Sequence, residues 1–435
     1  MRGVTHPKLF FPNRNHTYRM VRATLDETEE VIDRLQSAAE YLWQFDFYQE
    51  RFEEAGLEPE DIDSIETFRQ LPAMTPEDLA NDYTENPPLG SLVPDEWDVI
   101  RTNLTPNPYM DTRMPVPQTT KDIEINNEVN AKAYRNIGVT SDDIVLNTAN
   151  FTPYPFGWAI GGAAEEIGAR HIPTGPGDTE EQVEVIANHE VTTVCGFPSF
   201  MLKIANTADE GQLDSVERVI CSGEPFTAID GYREQVRGAF GGDVTVVDGY
   251  GLSEFGTGHI AFESHEEDGM HLFTKKVFPE VVDPETGELV ERGEKGELVL
   301  TTLQEEAAPV LRLRTGDLTI LDKRETEHGE YVLPEGVFGR TDNMRKIKGV
   351  KVYPLELQMH LAGVPNVDPE NMQLHVSRPE GQTDRLEITV GGDPDGVDTD
   401  ELGDGIAEVI NISPDTVEVK EGFEVTEGEV VVDER

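Results

Sequence analysis

The stretch Val246-Val247-Asp248-Gly249-Tyr250-Gly251-Leu252-Ser253-Glu254-Phe255-Gly256 gathers residue types that can do chemistry at close range. A β-branched run breaks at glycines around an aromatic residue, and a hydroxyl and a carboxylate follow. That pattern reads as a buried strand opening into a loop that lies against a ligand. Glycines let the backbone approach something flat or charged, Tyr250 can stack on a ring, and Ser253 and Glu254 offer oxygens to a phosphate-bound cation. The plainer alternative is a tight strand–loop turn with a solvated glutamate. Two upstream stretches, Gly196-Phe197-Pro198-Ser199 and Ser222-Gly223-Glu224-Pro225, end apolar runs in a similar way.

These stretches need elements to hold them. From Asp143 the chain alternates short apolar runs with helical periodicity. Strands are predicted at 143–148, 170–173, 192–197, 216–222 and 244–247, and helices at 158–167, 180–189, 199–208 and 227–240. That pace implies parallel strands with crossover helices and ligands at the carboxyl ends of the strands. Upstream, apolar residues from Val31 to Trp43 recur at helical spacing, predicting one amphipathic helix over about Asp26 to Glu54. Thr75 followed by Pro76 is a helix start. Arg101 to Gln118 is rich in Pro, Asn and Thr and lacks glycine, and a helix follows from about Thr119 to Tyr134. From His271 the texture turns to strands and turns. The expectation is an α/β large domain over 1–340, with a β subdomain at about 271–335, then a small α+β domain over 341–435.

Composition narrows the partners. The 435 residues carry 86 Asp+Glu against 35 Lys+Arg, a formal charge of −51 spread along the whole length. Only 12 of the basic residues are lysine. Apolar periodicity survives throughout, so a folded acidic surface suited to a salt-rich cytoplasm explains the charge better than disorder does. The same charge argues against nucleic-acid and membrane partners. Two cysteines, Cys195 and Cys221, make no disulfide framework, and no apolar run is long enough to span a bilayer, which points to a cytoplasmic protein.

With its motifs in order, the chain resembles the adenylate-forming (AMP-binding) superfamily, most closely the phenylacetate-CoA ligase family and the related synthetases that adenylate a deazaflavin coenzyme. The resemblance rests on Phe45-Asp46-Phe47-Tyr48, Gly196-Phe197-Pro198-Ser199-Phe200, Gly223-Glu224-Pro225, Asp248 to Glu254, Gly296-Glu297-Leu298-Val299, Arg314-Thr315-Gly316-Asp317 and Gly339-Arg340-Thr341-Asp342. The last runs on into Lys348-Gly349-Val350-Lys351. It implies an ATP site in which Ser222, Gly223, Glu224, Pro225, Asp248, Tyr250 and Gly251 hold adenine, and Ser253 approaches phosphate. Glu254 would hold Mg²⁺, Asp317 would accept the ribose hydroxyls, and Arg340 would steady ribose or phosphate, with Gly349 also near the nucleotide. Glu254 and Arg340 are the implied catalytic residues and Asp342 the implied hinge. The reaction implied is activation of a small-molecule carboxylic acid by ATP and its transfer to CoA. A homodimer is left open. The alternatives are a silent nucleotide-binding paralogue and nucleotidyl transfer to a deazaflavin.

Two places depart from the resemblance. A Ser/Thr/Gly-rich phosphate loop is implied where this chain has Thr105-Pro106-Asn107-Pro108-Tyr109-Met110-Asp111-Thr112-Arg113-Met114, whose prolines delete amide donors; Arg113 is a candidate side-chain clamp. A Gly-Lys pair is implied where the chain has Gly428-Glu429, a charge that would repel phosphate. Among other candidates, His259, Glu263, His265 and His271 read as a metal cluster or as surface histidines. Cys195 and Cys221 read as buried hydrophobes, and Tyr154, Phe156, Trp158 and Phe197 as an aromatic acid pocket or as core.

Overall fold

The computed structural model describes residues 22–435 except 95–97, 108, 230, 257, 325, 327, 342–344, 349, 353, 363, 379–383, 411 and 426–429. At its centre lies a nine-stranded sheet. Five parallel strands run Arg170–Pro173, Ile144–Asn147, Thr193–Gly196, Arg218–Ser222 and Thr245–Tyr250 across the sheet, and four antiparallel strands extend it through Ala261–Glu263, Met270–Leu272, Tyr331–Leu333 and Asp322–Lys323. The parallel strands are joined by the helices Phe156–Ile167, Thr179–His189, Pro198–Thr207 and Tyr232–Ala239, as the alternation predicts.

Three elements differ from the sequence expectation. The opening helix is two helices, Glu29–Leu42 and Asp46–Ala55, because Phe45 takes an extended conformation that turns its ring into the core beside Tyr41 and Tyr48. The helix expected from Thr227 starts at Tyr232. Thr227 donates its N–H and hydroxyl to Asp248, and Gly231, at φ 75°, turns the chain into the helix. The Pro-rich segment forms an antiparallel hairpin, Val99–Thr105 with Met114–Thr119, which leads into the helix Thr120–Asn136 through a Thr119/Asp122 capping box.

A second, four-stranded antiparallel sheet is made of Val277–Val282, Lys295–Thr302, Leu313–Ile320 and Val337–Arg340. Its register sets Asp317 opposite Arg340. Met270–Leu272 and Tyr331–Leu333, which fall inside the expected β subdomain, pair instead at the antiparallel side of the large sheet. Beyond residue 344 a separate four-stranded sheet, with helices Pro354–Ala362 and Thr399–Ile410, has its own core around Leu374, Ile388 and Ile406. Among the described residues no helix is long and apolar enough to cross a membrane.

Candidate active site

The carboxyl ends of Arg218–Ser222 and Thr245–Tyr250 lie side by side, with Ser222 paired to Gly249 and its hydroxyl donating to the Gly249 carbonyl at 2.5 Å. Two glycines there are obligatory. Gly223 has φ 84°, and a Cβ on it would stand 2.6 Å from the Phe197 ring; a Cβ on Gly251 would stand 2.2 Å from the Gly258 carbonyl oxygen. The chain is therefore bare backbone at the floor of a cleft.

That cleft has two chambers. One, of about 270 Å³, is lined by Glu224, Pro225, Tyr250, Asp317, Gly339 and Arg340 among others. The other, of about 250 Å³, is lined by Tyr154, Phe156, Phe197, Ser253 and His259 among others. Gly223, Gly251 and Leu252 belong to both, so the chambers share a wall of backbone.

In the first chamber the Tyr250 hydroxyl donates to Asp317 Oδ2 at 2.6 Å, and Arg340 donates to Asp317 Oδ1 at 3.2 Å. Burial, with the Asp317 charge beside it, keeps the Tyr250 phenol protonated well above its ordinary range. Tyr250 and Arg340 thus hold the Asp317 carboxylate in one orientation, while a carboxylate retains acceptor sites for further donors. Glu224 is committed within the protein: it accepts from the Ser199 N–H at 3.0 Å and hydroxyl at 2.8 Å, capping the helix Pro198–Thr207.

Asp248 lines the first chamber, but its carboxylate also accepts from the Thr227 N–H and hydroxyl at 3.1 and 2.6 Å. Its own N–H donates to Glu263, which Arg233 grips through its two terminal guanidinium nitrogens at 2.7 and 2.8 Å. Burial pushes the Asp248 carboxyl up to about 7, Glu263 adding to the rise while Thr227 and Arg233 oppose it. A carboxyl whose folded value lies above its free value is stabilising when protonated, so stability is lost as pH rises from about 4 through about 7 and is level above that. Asp248→Asn is expected to flatten the decline; melting temperatures between about pH 4.5 and 8 check this, and an unchanged slope would assign it to other groups.

Glu254 follows on the one-turn helix Ser253–Phe255. Its carboxyl is partly buried, and that burial raises its pKa while Arg340 pulls it down. A divalent cation beside it would relieve the desolvation. One carboxylate plus substrate phosphates is the donor set Mg²⁺ accepts, so the residues fit that ion.

The second chamber takes in Tyr154, Phe156 and Phe197 but not Trp158, which is exposed and lies under Arg101 at 4.7 Å. Arg113 stacks on the Tyr154 ring, its guanidinium 4.8 Å from the ring centre. His259, read from sequence as a metal ligand or a surface histidine, is instead a buried chamber wall. Burial pushes it down to about 3, so it is neutral, with Nδ1 3.1 Å from Asn130 Oδ1. The other three candidates are spread out: Glu263 pairs with Arg233, His265 with the Asn136 carbonyl, and His271 with Asp268. Among the described residues no group of three His, Cys, Asp or Glu could hold a metal ion. Cys195 and Cys221 are fully buried, burial pushing Cys195 up to about 12, which leaves neither a nucleophile. Gly349, Asp342 and Glu429 lie outside the described residues.

Comparison with known proteins bears on this cleft directly. The AMP-binding enzyme family matches residues 116–304, which include the ends of the strands Arg218–Ser222 and Thr245–Tyr250 and stop short of Asp317 and Arg340. A phenylacetate-coenzyme A ligase of Thermus thermophilus is 31% identical over 365 residues, covering 82% of this chain and 80% of that one. This chain belongs to the phenylacetate-CoA ligase family. The Escherichia coli K12 phenylacetate-coenzyme A ligase is 29% identical over 377 residues, 85% of this chain and 83% of the relative. The solved structure of 2-hydroxyisobutyryl-CoA ligase in the postadenylation state, in complex with 2-HIB-AMP, is 24% identical with a TM-score of 0.80 over 99% of this chain and 95% of that one, and shares the fold. As a phenylacetate-CoA ligase family member, the chain is an adenylate-forming acid-CoA ligase whose reaction uses ATP, Mg²⁺ and CoA.

Proposed function

We propose that the first chamber takes the adenosine of ATP and the second an acid with an aromatic or similarly flat apolar group, so that the acyl-adenylate bridges the backbone wall at Gly223, Gly251 and Leu252. The observation that carries this reading is the sharing of that wall: the chamber that holds Asp317 and Arg340 and the aromatic-lined one meet at bare backbone, with Ser253 on the aromatic side and Glu254 next to it in the chain. Asp317, steadied by Tyr250 and Arg340, accepts the ribose hydroxyls. Adenine lies against Gly223 to Pro225 and Tyr250. Glu254 would hold Mg²⁺, which would supply neutralisation of the phosphate charge. The substrate carboxylate oxygen attacks the α-phosphorus and pyrophosphate leaves; the CoA thiolate then attacks the acyl carbon and AMP leaves. Positioning and charge neutralisation supply most of the rate in such transfers.

The division at 340/341, with residues 341–435 as a small domain turning about Asp342 between the two half-reactions, belongs to the same proposal. So does the salt-adapted surface, which sets the assay conditions. Incubation with ATP, CoA and a panel of aryl and short aliphatic acids in about molar KCl is expected to release pyrophosphate most readily with an aryl acid. No release with any acid would overturn the reading. Release with aliphatic acids alone would overturn the assignment of the aromatic chamber.

A further inference from the structure

Behind Glu254 lies a buried ammonium that the reaction as described does not use. Lys276 is 1% exposed. Its Nζ donates to the Phe255 carbonyl at 3.3 Å and to Asn126 Oδ1, and stands 3.5 Å from the Glu305 carboxylate. Asn126 in turn donates to the Gly256 carbonyl at 3.4 Å, and Gln118 donates to the same oxygen. Three side chains from three separate stretches thus converge on two consecutive carbonyls, one and two residues past Glu254. The turn they hold is short. Ser253–Phe255 is a single helical turn closed by Gly256 at φ 72°, and only Phe255 of the three anchors in the core. A helix this brief has little stability of its own, so its orientation must come from the groups that bind its outgoing carbonyls.

An amide could donate these bonds without the cost of burying a charge. A lysine at this place needs Glu305 to offset its desolvation, and Glu305 is itself fixed by its loop, whose next N–H groups, those of Glu306 and Ala307, donate to the buried Asp122 at 2.7 and 3.1 Å. The ion pair therefore ties the Glu254 turn to the helix Thr120–Asn136 and to the second sheet.

We infer that Lys276 is a positioning residue of the metal site, holding the Ser253–Gly256 turn so that the Glu254 carboxylate faces the phosphates. This rests on the reading of Glu254 as the Mg²⁺ carboxylate. Groups that orient a metal's ligand typically change metal affinity or activity about 10–100-fold when removed. Lys276→Met is expected to raise the Mg²⁺ concentration for half-maximal pyrophosphate release about 10-fold or more, with KM for the acid unchanged. Because the single change strands Glu305, the double variant Lys276→Met/Glu305→Leu is the decisive one. It removes both charges, should melt near the wild-type temperature, and should keep the shifted Mg²⁺ dependence. Wild-type Mg²⁺ dependence in the double variant would overturn the inference and leave Lys276 as one half of a structural ion pair, as would equal shifts in the Mg²⁺, ATP and acid constants. Glu254→Gln, assayed beside them, separates the two claims: if that variant too keeps wild-type Mg²⁺ dependence, the metal assignment itself falls.

Discussion

Glu254→Gln is expected to lower the rate of pyrophosphate release about 10²–10³-fold, the scale on which loss of one preorganised charge-stabilising group acts. The amide is nearly isosteric, so Gly251, Ser253 and the wall between the chambers keep their places. What it loses is a full negative charge where burial already disfavours that charge and Arg340 alone, among the groups acting on it through charge, relieves it. Such a carboxylate gains most from a bound cation, and a neutral amide oxygen gains little. The defect should therefore appear as a rise in the Mg²⁺ requirement, while binding of ATP without metal, measured by calorimetry, stays near wild type because Asp317, Tyr250 and Arg340 are untouched. The pH dependence has a definite sign. Since the folded carboxyl lies above its ordinary value, acid should protonate it and release Mg²⁺ at a higher pH than for a solvated glutamate. Activity of the wild type should fall on that limb, and the variant, having no carboxyl there, should not show it. A variant with the wild-type Mg²⁺ response would remove Glu254 from the metal site.

The parallel half of the large sheet is legible in the sequence because each strand is a short apolar run bounded by punctuation and each crossover keeps helical period. The cleft is legible in part for the same reason: ligands collect at strand ends, and Ser222 to Pro225 and Tyr250 to Glu254 are strand ends. The break at Phe45 is not, since the apolar spacing runs on through it and only the tertiary pull on one ring decides the matter. Nor is the late start of the helix at Tyr232, where a competing partner, Asp248, removes Thr227 from the helix. Pairings over long separations stay hidden as well. Nothing near Tyr250 foretells that its hydroxyl meets Asp317, or that Lys276 reaches the Phe255 carbonyl. Trp158 illustrates the converse. An aromatic residue two positions from Phe156 invites a place in the same pocket, yet a helix turns side chains two apart about 200° away from each other, and Trp158 faces out under Arg101.

Arg233→Met should destabilise the protein by about 3–5 kcal/mol, the cost of removing one partner from a buried ion pair. Arg233 donates twice to Glu263, whose side chain is wholly buried, and once to the Val246 carbonyl at 2.9 Å. Glu263 also accepts from the Asp248 N–H, and its charge adds to the rise of the Asp248 carboxyl. Burial leads the rise in both, and the guanidinium is the cation that opposes it. Without it both carboxyls move further up, and the sign follows. A carboxyl raised in the folded state is lost as a stabilising group when pH climbs through its folded value. In the wild type that loss is complete for Asp248 a little above about 7; in the variant it continues to higher pH. The gap in stability should therefore be smallest near about pH 5 and widest near about pH 8, as read from urea unfolding at both. Arg233→Met/Glu263→Gln should regain much of the loss, since a buried pair removed together costs far less than one broken. The effect reaches the chemistry because the Asp248 backbone is the step between this network and Tyr250. A rigid end to the strand Thr245–Tyr250 is what aims the aromatic ring and the glycine wall at the cleft, so the variant should bind ATP more weakly even where it remains folded. A gap below about 1 kcal/mol, the size of an exposed pair, or one that does not change with pH, would mean that Arg233 is screened by solvent and that the end of the strand is held by other means.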